Sequence, residues 1–139
     1  RAARAWLAGL AAYAPSPTRE PSIVLAGGPP DLHTIGLEAL TVLLRYDGWG
    51  CRTLGARTSV PALTAAIHAT GASSAVIVSH LNTGRQRAVQ ALHAAAHLDV
   101  AVFYAGNAFA APRSRRSLPG TYLGTHLREA CRLIAAAVT

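Results

Sequence analysis

From residue 22 onward the chain alternates short apolar runs with stretches whose apolar residues recur at helical spacing. The runs fall at Ser22–Ala26, Gly50–Leu54, Ala75–Ser79 and Val100–Tyr104, with a weaker one at Thr121–Leu123. The periodic stretches predict helices over Thr34–Tyr46, Val60–Ala69, Arg85–His97 and Thr125–Ala137. A strand that is apolar along its whole length needs cover on both faces, and strands separated by amphipathic helices pair in parallel. The pattern therefore predicts an α/β fold: a doubly wound, flavodoxin-like (Rossmann-like) five-stranded parallel sheet.

Local signals sharpen the boundaries. Thr58-Ser59-Val60-Pro61 places a hydroxyl cap ahead of a first-turn proline, and Gly48 and Gly71 stand just past their helices, where a left-handed residue is wanted. Upstream, Ala2, Trp6, Leu10 and Tyr13 share one face of an amphipathic helix over 1–14, whose apolar face needs cover from the domain itself or from a helical bundle of which it is the end. Pro15, Pro17 and Pro21 crowd the next seven positions, so 15–21 reads as a linker that excludes helix and central strand, and 22–139 as the domain.

Composition changes the picture in three ways. With 51% hydrophobic and 14% charged residues over 139 positions, the chain is one globular domain, long enough to bury a core, rather than disordered. No apolar run reaches membrane-spanning length and no secretory signal is visible, so a cytoplasmic protein is expected. Methionine is absent and residue 1 is Arg, which reads as a piece of a longer chain. The net charge of +7 comes entirely from arginine and accompanies an alanine bias, so it is weak grounds for nucleic-acid binding. The densest basic run, Arg113-Ser114-Arg115-Arg116, reads first as a solvated loop, with contact to an anionic partner as the alternative. Cys51 and Cys131 lie far apart and are expected as reduced core thiols.

The loops leaving the strands carry the candidate chemistry. A dinucleotide site needs a glycine-rich loop of free amides after the first strand, whereas Gly27-Gly28-Pro29-Pro30 has prolines there. A phosphoacceptor needs an Asp ending the third strand, which ends instead in Ser79-His80-Leu81, and a phosphate-binding loop needs the lysine this chain lacks. In the loop after the first strand, Asp31 stands two residues from His33, placed to hold one ring nitrogen and leave the other as an oriented metal donor. His93 and His97 lie four apart on a helix, but without a third ligand they read as a solvated face, and His68 and His126 carry no pattern.

Three elements then stand in order: Asp31-x-His33-x-x-Gly36, Ser79-x-Leu81, and Gly106 in Ala105-Gly106-Asn107. Together they resemble the cobalamin (vitamin B12) binding domain shared by methionine synthase, methylmalonyl-CoA mutase and B12-dependent regulators, over about residues 22–138. The family pattern ends in Gly-Gly, so Asn107, or else Ala105, departs from it. The resemblance implies that His33 ligates the cobalt of adenosylcobalamin or another B12 form from below, displacing the cofactor's own base. It implies that Asp31 hydrogen-bonds His33, that Gly36 lets the first helix pass close to the cofactor, and that Ser79 and Leu81 line the channel for the nucleotide tail. Gly106 would leave room for the tail's ribose and base, with Asn107 beside it. His80 has two readings, the corrin rim or solvent.

The segments Gly48–Gly55 and Leu118–Ala130 look most like the C-terminal domain of MerR-type B12-dependent transcriptional regulators, the CarH and LitR type. That likeness implies a cobalamin-binding sensory domain, light-responsive through adenosylcobalamin and not itself an enzyme. DNA would be reached only through a domain upstream, with a homo-oligomer or partner regulator as the assembly. The alternatives are a carrier domain of a B12-dependent methyltransferase or mutase, a stand-alone carrier or antirepressor, and a fold relative that binds another nucleotide-like molecule.

Overall fold

The computed structural model describes residue 9 and residues 16–27, 34–55 and 58–138. The predicted alternation is realised as β1 (Arg19–Gly27), α1 (Thr34–Tyr46), β2 (Trp49–Leu54), α2 (Val60–Thr70), β3 (Ser74–Val78), α3 (Arg85–Ala96), β4 (Ala101–Ala105), β5 (Thr121–Tyr122) and α4 (Leu127–Val138). Short 3-10 turns follow β3 at Asn82–Gly84 and β4 at Asn107–Phe109 and Pro112–Arg115. The five strands form one parallel sheet in the order β2-β1-β3-β4-β5, the flavodoxin-like arrangement.

Side-chain parity along the strands builds two cores. On β3 every residue is buried. Ala75 and Ile77 face Leu63 and Ile67 of α2 and Leu92 of α3, whereas Val76 and Val78 face Leu40 and Leu44 of α1 and Ile134 of α4. Leu44, Leu92 and Ile134 are fully buried, each worth ~1.5–3 kcal/mol of apolar transfer, so both helical layers are held to the sheet. This explains the unbroken apolar character of the central strands.

The helix boundaries follow the expected chemistry. Ser59 Oγ accepts the Ala62 amide at 3.2 Å with Pro61 in the first turn of α2, and the helix closes on Gly71 at φ 62°, ψ 32°. Both thiols are free, Cys51 half-buried and Cys131 buried, and burial pushes each up to about 11. No helix among the described residues is long and apolar enough to cross a membrane.

One expectation needs correction. The proline segment is not linker throughout: β1 reaches back to Arg19, and Pro21 lies inside a strand with neighbours on both sides. The pairing with β2 shows why this is tolerated. Arg19 pairs with Trp49 and Ile23 with Cys51, so the register slips between them and Pro21 falls at the irregularity, where no regular ladder amide is required. Pairing with β3 begins only at Ile23. The Thr18 amide also donates to the Gly48 carbonyl at 2.8 Å, which ties this segment to the start of β2. The helix expected over 1–14 lies outside the described residues, save Gly9, which is helical.

Candidate functional site

All five strands run parallel, so their C-terminal ends share one edge, and the segments leaving them form the site. Two glycines shape it. Gly27 ends β1 at φ 130°, where a Cβ would sit 2.0 Å from the Val78 carbonyl oxygen. Gly106 follows β4 at φ 109°, where a Cβ would sit 2.1 Å from the Ser79 carbonyl oxygen and 2.6 Å from its carbon. Only a residue without a side chain allows these approaches. The end of β3 is thus clasped from both sides, and on the β4 side hydrogen bonds complete the clasp: the Ser79 amide donates to Ala105 O at 3.0 Å, and the Ala108 amide donates to Ser79 O at 3.1 Å.

Beyond this clasp lies a groove of about 210 Å³ on the α1 and α4 side of the sheet. Its floor is Val78, Ala105 and Leu123 at the strand ends, and its walls are Leu40 of α1 and Leu127 and Ala130 of α4. The mouth carries His80, Asn107, Thr125 and His126, and no carboxylate or arginine lines it among the described residues. The opening of α4 frames one side, with the Ala130 amide donating to His126 O at 3.0 Å. Glu129 is not among the lining residues, and the Arg132 guanidinium that hydrogen-bonds it holds its carboxyl below the usual range, with a smaller push from His126.

The residues singled out from the sequence fall in three groups. Gly106 and Asn107 line the groove, and Leu81 is exposed at the same edge without lining it. Ser79 is buried and its hydroxyl donates to Leu81 O at 3.4 Å, so the side chain turns away from the groove. Asp31 and His33 lie outside the described residues, and of Gly36 only its place in the first turn of α1 is described. The segment that holds Asp31 and His33 joins the end of β1 to the start of α1, the helix whose Leu40 lines the groove.

Two participants lie outside the three-part motif, one of them His80, for which the sequence leaves the corrin rim and solvent open. His80 lines the groove where Ser79 does not, because parity carries Val76 and Val78 to this face and position 80 continues it. The Tyr122–Leu127 stretch, singled out in the sequence only as part of the Leu118–Ala130 likeness and not as a site, supplies much of one wall. Elsewhere, His97 Nδ1 lies 2.7 Å from the His93 backbone carbonyl oxygen, so the His97 ring is engaged at the helix end. No group of three or more His, Cys, Asp or Glu able to hold a metal ion occurs among the described residues.

Sites that engulf a drug-sized molecule run ~300–1,000 Å³, and the groove, at about 210 Å³, is smaller than that. An apolar floor with amide, hydroxyl and imidazole groups at the mouth suits a flat, neutral ring system with polar edges.

No protein-family model matches the chain, and no curated protein matches it. Solved structures do share its fold, the following two among them. A cobalamin-binding protein from Desulfitobacterium hafniense DCB-2 superposes with a TM-score of 0.73 at 16% identity, covering 87% of this chain and 60% of that one. The monomethylamine corrinoid protein of Methanosarcina barkeri superposes with a TM-score of 0.71 at 15% identity, covering 98% of this chain and 65% of that one. The chain therefore spans less than two thirds of either. At these identities the likeness is one of fold: an open parallel sheet with five strands and helices on both faces.

Proposed function

We propose that this chain is a cobalamin-binding domain that takes the cofactor with its lower base displaced, His33 standing as the cobalt ligand beneath the corrin. The observation that carries this reading is the groove at the C-terminal edge, sized for one ring system and its linker and reached from the same edge as the segment holding Asp31 and His33. A long nucleotide tail fits that demand: the base enters between α1, α4 and the strand ends, and the corrin stays outside over the loops. In this arrangement Asp31 orients the His33 imidazole, Gly36 lets α1 begin close to the cofactor, and Gly106 and Asn107 border the tail. Ser79 and Leu81 act through the backbone at the β3 end rather than by lining the groove. When bound, cobalamin supplies a cobalt–carbon bond that is readily made and broken; the domain itself holds and presents the group and is not an enzyme on its own.

Two settings share this binding mode. The regulator setting is favoured by Leu118–Ala130, because the stretch that resembles the MerR-type regulators supplies the groove wall from Tyr122 onward. There, loss of an upper adenosyl group on illumination would change what packs above the corrin and so bias assembly. The carrier setting, in which a partner enzyme works on the upper face, is favoured by the fold shared with a corrinoid protein named for monomethylamine. Dark and illuminated samples of the adenosylcobalamin-loaded chain, compared by gel filtration, separate them: a light-dependent change in size supports the regulator and constant size supports the carrier.

The binding reading is tested by titrating hydroxo- and adenosylcobalamin and recording absorption spectra. His-on ligation gives a spectrum that differs from that of the free cofactor, and His33→Ala returns it to a form without protein nitrogen on cobalt. A spectrum identical in the parent and His33→Ala overturns the ligand assignment, and absence of any binding overturns the function.

A further inference from the structure

Charge is distributed unevenly between the two ends of the strands. Among the described loops, the carboxylates Asp47 and Asp99 stand in the turns that enter β2 and β4. No Asp or Glu occurs between Gly48 and Leu98 or between Val100 and Arg128. The loops that leave β3 and β4 instead bring together Arg85, at the start of α3, and Arg113, Arg115 and Arg116 of the Pro112–Arg115 turn and its end.

Two of these guanidinium groups are fixed. Arg85 Nη2 donates to Ser114 O at 2.6 Å, and its guanidinium carbon lies 6.0 Å from the Phe109 ring centroid. Its Nε is enclosed without a hydrogen-bond partner. Arg115 Nη1 donates to Phe109 O at 2.8 Å and Ala110 O at 2.9 Å, while the group stacks 4.2 Å above the Tyr122 ring. Arg113 and Arg116 are exposed beside them. None of the four takes part in an ion pair among the described residues. Arginine cannot shed its proton to relieve the crowding, so like charge remains concentrated on one lip of the fold.

We infer that this lip is a docking surface for an acidic segment of a protein partner. Two held guanidinium groups set the position and two exposed ones offer forked donors that match carboxylates. A nucleic acid fits less well, because the ring faces it would stack on are already occupied, Tyr122 by Arg115 and Phe109 by Arg85, and the basic groups form a compact cluster rather than a stripe. The Pro112–Arg115 turn packs on the Asn107–Phe109 turn, and Asn107 lines the groove, so a partner seated here also overhangs the groove mouth. The inference rests on charge geometry and does not require a bound corrinoid.

The test uses the whole chain without cofactor and a fluorescent oligoglutamate peptide, with binding read by anisotropy at low and physiological ionic strength. Binding is expected to weaken about tenfold in Arg113→Glu/Arg116→Glu, from lost attraction and added repulsion at two exposed sites. It is expected to stay within about twofold of the parent in Arg52→Glu/Arg132→Glu, which changes net charge equally at exposed positions elsewhere. Arg113→Gln/Arg116→Gln should fall between, with the melting temperature of each variant checking that the fold is intact. Equal weakening by both reversal pairs, no peptide binding by the parent, or tighter binding of a mixed-sequence single-stranded oligonucleotide that the Arg113/Arg116 variant loses would each overturn the inference.

Discussion

Replacing Gly106 with alanine separates two reasons for a glycine at that position. One is room for a cofactor tail in the groove, and the other is the close approach of two strand ends. A Cβ at Gly106 would lie 2.1 Å from Ser79 O, whereas a carbon and an oxygen in contact need ~3.3 Å. The chains must therefore part by about 1 Å. Ser79 N to Ala105 O at 3.0 Å and Ala108 N to Ser79 O at 3.1 Å would then stretch beyond hydrogen-bond range. Each lost bond costs ~1 kcal/mol, and φ 109° adds ~1–3 kcal/mol of strain for any residue with a Cβ. The sum is ~3–5 kcal/mol, a large part of the ~5–15 kcal/mol that holds a domain together. For a chain of this size it corresponds to a fall of ~10–15 °C in melting temperature. Thermal melts of the cofactor-free protein measure it directly, since no ligand contributes. A melting temperature within ~2 °C of the parent, combined with loss of cobalamin binding, would refute the backbone account and assign the glycine to the tail alone.

Gly71 provides the contrast: at φ 62°, with nothing within 4 Å of the position a methyl group would take, Gly71→Ala should cost only ~1 kcal/mol by urea denaturation, and a loss above ~3 kcal/mol would mean that the turn carries more than local conformation. Cys51 and Cys131 are both held protonated up to about pH 11 by burial, so the folded protein should react slowly with iodoacetamide near neutral pH, and rapid labelling would contradict their burial. The same shift fixes a sign. Between about pH 9 and about pH 11 the unfolded chain has released thiol protons that the folded chain keeps, so stability falls as pH rises through this window. Tyr104, raised chiefly by burial, acts in the same direction. A Cys51→Ser/Cys131→Ala variant should show a flatter urea midpoint across that range.

How far the sequence reaches depends on the range over which each interaction acts. Ser59-Val60-Pro61 and Gly71 mark α2 because capping is decided within a few residues, and Ile23–Ala26 and Ala75–Val78 mark central strands because burial on both faces leaves no polar positions. Pro21 misleads because its tolerance depends on a register slip against β2, a contact with residues near 50 that no local rule contains. Ser79 and His80 show a partly legible case: extending the parity of Val76 and Val78 by one step picks His80 as the groove residue, but a motif match fixes attention on the serine. Gly106 is visible as a glycine while its reason is not, since the atom it must avoid belongs to Ser79 at the end of another strand. The arginine run shows the largest gap. Arg113–Arg116 reads alone as a solvated loop, and half of it is. Yet Arg115 is spent on carbonyls and the Tyr122 ring, and Arg85 joins from the start of α3 through Ser114. A surface charge in sequence becomes a shaped cluster only when the strand order brings the loops after β3 and β4 to neighbouring places on one edge. The same adjacency brings the groove to that edge, so the groove and the arginine cluster are two consequences of one topology.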